Sequence, residues 1–270
     1  MWPTIPPGFE PWQYYALVGA AVLVVGIAKA GFGGGIGILA IPLMAIAMGP
    51  THMLGVMLPL LIACDIFSNL HYRREQDWGR LRPLLIGAAV GVGVGTVILF
   101  QLASMPPEDF RRVMSGVIGG ICFAVVLLQV YRMTGREVPT LPTHPASAMT
   151  VGLVAGALST LNHAAGPIIM IYLLQVGLAK RKLVGTMLMY FLIGNTLKLP
   201  TFLFLPIGDS GETLINASTL RDSIWFLPLI PIGTVTGAWM NKRIPEKPFA
   251  AIMYIFAAIT AGNMLIKALM

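Results

Sequence analysis

Gly26-Ile-Ala-Lys-Ala-Gly-Phe-Gly-Gly-Gly-Ile-Gly-Ile-Leu-Ala-Ile-Pro42 is a Gly-rich stretch with a lysine beside it, set inside an apolar run from Trp12 to Met48. Glycine this dense unwinds a helix, and hydrocarbon tolerates the freed N–H and C=O groups only where they face protein or a water-filled cavity. The break is therefore expected to line something. Where the helix resumes, near Gly35, its first N–H groups are free and carry the positive end of the helix dipole, which attracts an anion. The stretch reads as one half of a transport site.

Composition bounds the rest. Of 270 residues, 56% are hydrophobic and 11% charged, and the mean hydropathy is +0.80. Several apolar runs exceed the length of a membrane span, so the chain is an all-α polytopic membrane protein. The formal charge of +7 falls in short clusters between apolar runs, where loop placement explains it and nucleic acid drops out as a partner. Cys64 and Cys122 sit inside apolar segments without metal-ligand spacing, so neither a disulfide framework nor a metal site is expected. The N-terminus lacks a basic n-region, and the first helix is expected to be retained, with Trp12, Tyr14 and Tyr15 as interfacial anchors.

After the broken run, apolar segments lie at 52–72, 81–102 and 110–131, followed by a Pro- and Thr-rich connection at 139–145. A second interrupted run covers 146–177, broken at Asn162-His-Ala-Ala-Gly-Pro167, and segments at 183–205, 222–240 and 248–268 follow. With loops 73–82, 132–145, 178–183 and 241–247 in the cytoplasm, twelve of the eighteen Lys and Arg lie inside and four outside. That bias places the N-terminus outside, and it requires each broken run to be a hairpin returning to the face it entered from.

A shift of 130 residues puts Gly26 on Gly156, Gly35 on Ala165, Gly55 on Gly185, Met57 on Met187 and Asp65 on Asn195. The chain thus reads as an inverted-topology repeat, 1–135 and 146–270, within a single integral membrane domain. Each half is one broken hairpin plus three transmembrane helices. Rise per residue puts the first tip about 20 Å from the outer face and the second about 16 Å from the inner face, so the tips meet near the midplane of a core roughly 30 Å thick.

Each hairpin would present a half-helix N-terminus there, one near Gly35 and the other at Pro167, a residue suited to the first turn because its missing N–H is not needed. The polar residues at similar depth are Lys29, Asp65, Ser159, Thr160, Asn162, His163, Asn195 and Lys198, and intramembrane charges point to function. Two lysines against one aspartate make the pocket anion-selective. Alternatives stay open residue by residue. Lys29 could instead satisfy helix C-terminal carbonyls, and Lys198 could extend its stem to the headgroups. Asp65 is either a proton-coupling carboxylate or the counter-ion of a lysine. His163 either titrates or is a satisfied structural histidine, and the glycines from Gly31 to Gly35 could serve close helix packing. The glycine pattern lacks the Gly-Lys-Ser/Thr ending of a phosphate loop, and no catalytic constellation stands out.

Gly26-x2-Lys29-x-Gly31-Phe32-Gly33-Gly34-Gly35 followed by Pro42, with a broken counterpart in the second half and Asn195-x2-Lys198 after it, resembles the TauE/SafE family of sulfite exporters. The resemblance runs from about Tyr15 to Leu265. It implies movement of small sulfur-containing anions, such as sulfite, sulfoacetate or related organosulfonates, across a bacterial inner membrane, usually outward. By motif position it carries over Lys29, Gly33, Gly34, Gly35, Asn195 and Lys198. The second break departs from the paired Gly-rich pattern, with Asn162 to Pro167 in place of a glycine cluster.

The expectation is a secondary transporter, not an enzyme, working by alternating access. Substrate contacts are expected from Lys29, Gly33, Gly34, Gly35, Ser159, Asn162, His163, Gly166, Pro167, Asn195 and Lys198, with Asp65 available for proton coupling. No cofactor is expected. Partners are the lipid bilayer and a small sulfur oxyanion, with a homo-oligomer left open. A passive anion channel would use the same pocket, and a membrane-embedded enzyme would need a nucleophile with its base or a metal cluster.

Overall fold

The computed structural model describes residues 10–32, 34, 40–133, 142–207, 211–243, 262 and 266. In chain order the helices are α1 (Pro11–Phe32), α2 (Ala40–Met48), α3 (Pro50–His71), α4 (Trp78–Ala103), α5 (Pro107–Met133), α6 (Pro145–Asn162) and α7 (Gly166–Gln175). They continue as α8 (Lys180–Leu197), α9 (Leu199–Phe204), α10 (Ala217–Phe226) and α11 (Leu229–Arg243), with a two-residue antiparallel pair, β1 (Pro206–Ile207) and β2 (Glu212–Thr213), before α10. Among the described residues five helical spans are long and apolar enough to cross a membrane, or six when α10 and α11 count as one span bent by 47°. The expected last segment, 248–268, and the restart near Gly35 lie outside the described residues, apart from Gly262 and Ile266.

Local sequence explains most element ends. Pro50 opens α3, and Asp77 caps α4 by accepting from the Arg80 N–H at 3.1 Å. Asn216 and Thr219 close a reciprocal capping box on α10. The run at 183–205 is interrupted at Lys198, because Pro200 in the first turn of α9 has no N–H to continue the ladder of α8. The run at 222–240 begins earlier, at Ala217, and breaks beside Pro228.

Packing crosses between the halves. α4 of the first half has its most extensive pairing with α6 of the second, and α1 pairs next most extensively with α11. Both pairings rest on glycine. A Cβ at Gly91 would sit 2.0 Å from the Leu153 carbonyl oxygen, and one at Gly26 would sit 2.9 Å from the Gly233 Cα, so backbones meet where side chains would stand. The opposite face of α4 shows Ile86, Val90, Val94 and Val97 exposed, a stripe that needs a non-aqueous surrounding.

The helices α3 and α8 run together between these pairs. α3 is tied to the second half near both ends. Near its start His52 Nε2 lies 2.8 Å from Asp222, and Ser223 Oγ donates to the Val56 carbonyl at 3.0 Å. Beyond its other end Arg181 Nε donates to Glu75 at 3.1 Å and the Asp77 N–H donates to Thr186 Oγ1 at 2.9 Å. Tyr72, just past α3, donates its hydroxyl to the Ala30 carbonyl at 2.9 Å, and burial holds this phenol above its ordinary pKa so that it remains a donor.

Candidate anion site between two helix breaks

The first break starts as α1 ends. Gly34 has φ 85° and donates its N–H to the Ala28 carbonyl at 3.0 Å, so this amide closes the helix and is already used. Gly33 and Gly35 lie outside the described residues. Lys29, one turn earlier, is 5% exposed. Its ammonium pairs with Asp65 Oδ1 on α3 and stands 5.1 Å from the centre of the Phe191 ring. Asn195 on α8 donates Nδ2 to Asp65 Oδ2 at 2.7 Å. Both oxygens of a fully buried carboxylate thus have partners, one from α1 and one from α8, as a buried charge requires.

The second break is built around His163. It ends α6 in a left-handed conformation, φ 59°, its N–H donating to the Ser159 carbonyl at 2.9 Å. Asn162 turns inward on its own loop, accepting from the Ala164 N–H at 3.1 Å, while its buried Nδ2 has no partner among the described residues. α7 then starts at Gly166 with Pro167 in its first turn and no side chain capping it, which leaves the early amides to other partners.

Lys198 closes the group. It is fully buried at the junction of α8 and α9 and does not extend to the surface. Its Nζ donates to the Ser159 carbonyl at 3.2 Å and to Ser159 Oγ at 2.9 Å, and it faces His163 Nδ1 at 3.0 Å. His163 Nε2 lies 3.2 Å from the Leu54 carbonyl. A carbonyl cannot donate, so Nε2 carries the proton and Nδ1 accepts from the ammonium. His163 is then a neutral strut that holds Lys198 and offers no N–H to a ligand. Among the described residues no carboxylate is in ion-pair contact with Lys198.

A cavity with about 30 Å³ of water-accessible space lies between the two breaks, room for roughly two water molecules. Lys29, Gly34, Ser159, His163, Gly166 and Asn195 line it, with Phe191, Met57, Leu61, Val25 and Ile41 completing an apolar wall. Asp65 and Lys198 stand one layer behind, touching Lys29, Asn195, Ser159 and His163. Asn162 and Pro167 are buried at the second break rather than on this wall. Sequence reasoning missed Phe191, although Phe191, Asn195 and Lys198 follow helical spacing.

The family model described as Sulfite exporter TauE/SafE matches residues 18–264 of the chain. No curated protein and no solved structure matches it.

Proposed function

The chain belongs to the TauE/SafE family of sulfite exporters, and from that premise we propose that it is a secondary transporter that moves a small sulfur oxyanion through the cavity between its two helix breaks. Membership in that family and several apolar spans make it a multi-pass membrane protein of a sulfur-anion exporter family. The observation that carries the finer reading is the convergence of Lys29, Ser159, Asn195 and the uncapped start of α7 on one small space, with a second buried ammonium directly behind. Lys29 and Ser159 would contact the anion's oxygens, Gly34 and Gly166 would keep the wall narrow, and Lys198 would supply field through Ser159. Gly33 and Gly35 remain part of the proposed seat on motif grounds.

Alternating access is proposed on the inverted repeat. Its support is the exchange of partners, α1 with α11 and α6 with α4, and the direct bond between Asp65 and Asn195, positions one repeat apart. Two equivalent halves around one seat can open it to one side or the other. The proposed setting is a bacterial inner membrane with the N-terminus outside and export as the direction.

The test is sulfite flux in proteoliposomes. Wild type is expected to accumulate sulfite against a gradient when a coupling ion gradient is imposed, and Lys198→Gln is expected to cut flux by about tenfold or more. Flux equal to wild type in Lys198→Gln, with protein confirmed in the membrane, would remove the seat. Flux that only dissipates a gradient would make the protein a channel. Asp65→Asn addresses coupling: an unchanged pH profile would leave Asp65 as a counter-ion alone.

A further inference from the structure

With Lys29 and Lys198 protonated and Asp65 ionised, the charged side chains of the described residues around the cavity sum to a single positive unit. Lys29 is neutralised by Asp65, whose second oxygen is taken by Asn195. Lys198 touches a carbonyl, a hydroxyl and a neutral imidazole. His163 cannot add charge without aiming an N–H at that ammonium, because Nε2 is already committed to the Leu54 carbonyl. Among the described residues the other buried charged side chain is Asp222, and it is paired with His52 and Arg221.

Resting on the reading of this cavity as the anion seat, we propose that it selects by charge state: it takes singly charged oxyanions of the hydrogensulfite and alkanesulfonate class and rejects dianions of the same shape. A monoanion brings the buried cluster to neutrality, whereas a dianion leaves one negative charge uncompensated away from water, a state that proteins avoid. Hydrogen-bond direction favours an unprotonated oxyanion oxygen, whether the anion carries one charge or two. The ammonium of Lys198 donates to Ser159 Oγ, so the hydroxyl's own proton points elsewhere, and Ser159 lines the cavity. Among the described residues no acceptor takes that proton, so it can serve an unprotonated sulfonate-type oxygen. The apolar wall of Phe191, Met57 and Leu61 accepts the substituent on sulfur.

Methanesulfonate and methylphosphonate separate charge from shape, since in mildly alkaline buffer they differ by one charge on nearly the same frame. Calorimetric titration of purified protein in nanodiscs is expected to show wild type binding methanesulfonate at least about tenfold more tightly than methylphosphonate. Asp65→Asn raises the cluster by one positive unit and is expected to move the preference towards methylphosphonate by about tenfold or more. Equal affinities, or a phosphonate preference in wild type, would overturn the charge-state proposal and leave the seat standing. Failure of wild type to bind methanesulfonate, methylphosphonate or sulfite would instead overturn the seat itself. Should Asp65→Asn not fold, the wild-type comparison decides alone.

Discussion

At position 198 an ammonium is held by a carbonyl, a hydroxyl and an imidazole, and none of these carries a countercharge. The imidazole is the part most open to test. His163→Asn keeps a residue that tolerates the left-handed backbone at φ 59°, but its shorter side chain cannot bridge Lys198 and the Leu54 carbonyl. Each buried group left without a partner costs about 1–3 kcal/mol. Thermal unfolding in detergent should therefore show His163→Asn less stable than wild type, with sulfite flux reduced alongside. Unchanged stability would mean that the strut is not needed. Asp65 has the opposite character, a carboxylate fully bonded between two halves of the chain. Asp65→Ala strands the Lys29 ammonium, and breaking a buried pair in this way costs about 3–5 kcal/mol. Folded yield after solubilisation should fall sharply for Asp65→Ala and much less for Asp65→Asn.

Among elements, the glycines divide by face. On α4, a Cβ at Gly91 would lie 2.0 Å from the Leu153 carbonyl oxygen, whereas one at Gly93 meets nothing within 4 Å. Gly91→Ala must push α6 away and is expected to cost about 1–3 kcal/mol or more by overpacking. Gly93→Ala, two residues along the same helix, is expected to be neutral or to stabilise by up to about 1 kcal/mol. The melting temperature should fall for Gly91→Ala and hold or rise for Gly93→Ala, and a matched loss in both would show that α4 and α6 do not pack as described. Sequence legibility follows the same division. The Gly-rich stretch announces a break, but Gly26 and Gly31 stay helical within α1 and serve its contact with α11, an outcome only the partner helix decides. The break at Asn162 to Pro167 is readable because Pro167 and Gly166 act locally. Pro200 and Pro228 gave equally local signals for the breaks at Lys198 and beside Leu227, hidden by the apolar runs around them. Lys29, Asp65 and Lys198 stand out as charges in hydrocarbon-length runs. Their pairing does not, since Lys198 meets Ser159 and His163 from 39 and 35 residues away.

For the whole molecule, the crossed pairings α1 with α11 and α6 with α4 make each half unable to bury its first helix without the other. The proposed inverted repeat requires two halves of opposite orientation, and orientation can be measured because the background is low. Cys64 and Cys122 are both buried, so an introduced cysteine is the reactive one. Ser104, just past α4, and Thr143, just before α6, are exposed and are separated by the single long helix α5. The Lys and Arg distribution puts Ser104 outside and Thr143 in the cytoplasm. With a membrane-impermeant maleimide on spheroplasts, Ser104→Cys is expected to label at once and Thr143→Cys only after permeabilisation. The reverse pattern would invert the topology but keep the repeat. Labelling of both from one side would show that α5 does not cross, which leaves an even number of crossings between the two hairpins, makes the halves parallel, and removes the inverted repeat on which alternating access is proposed.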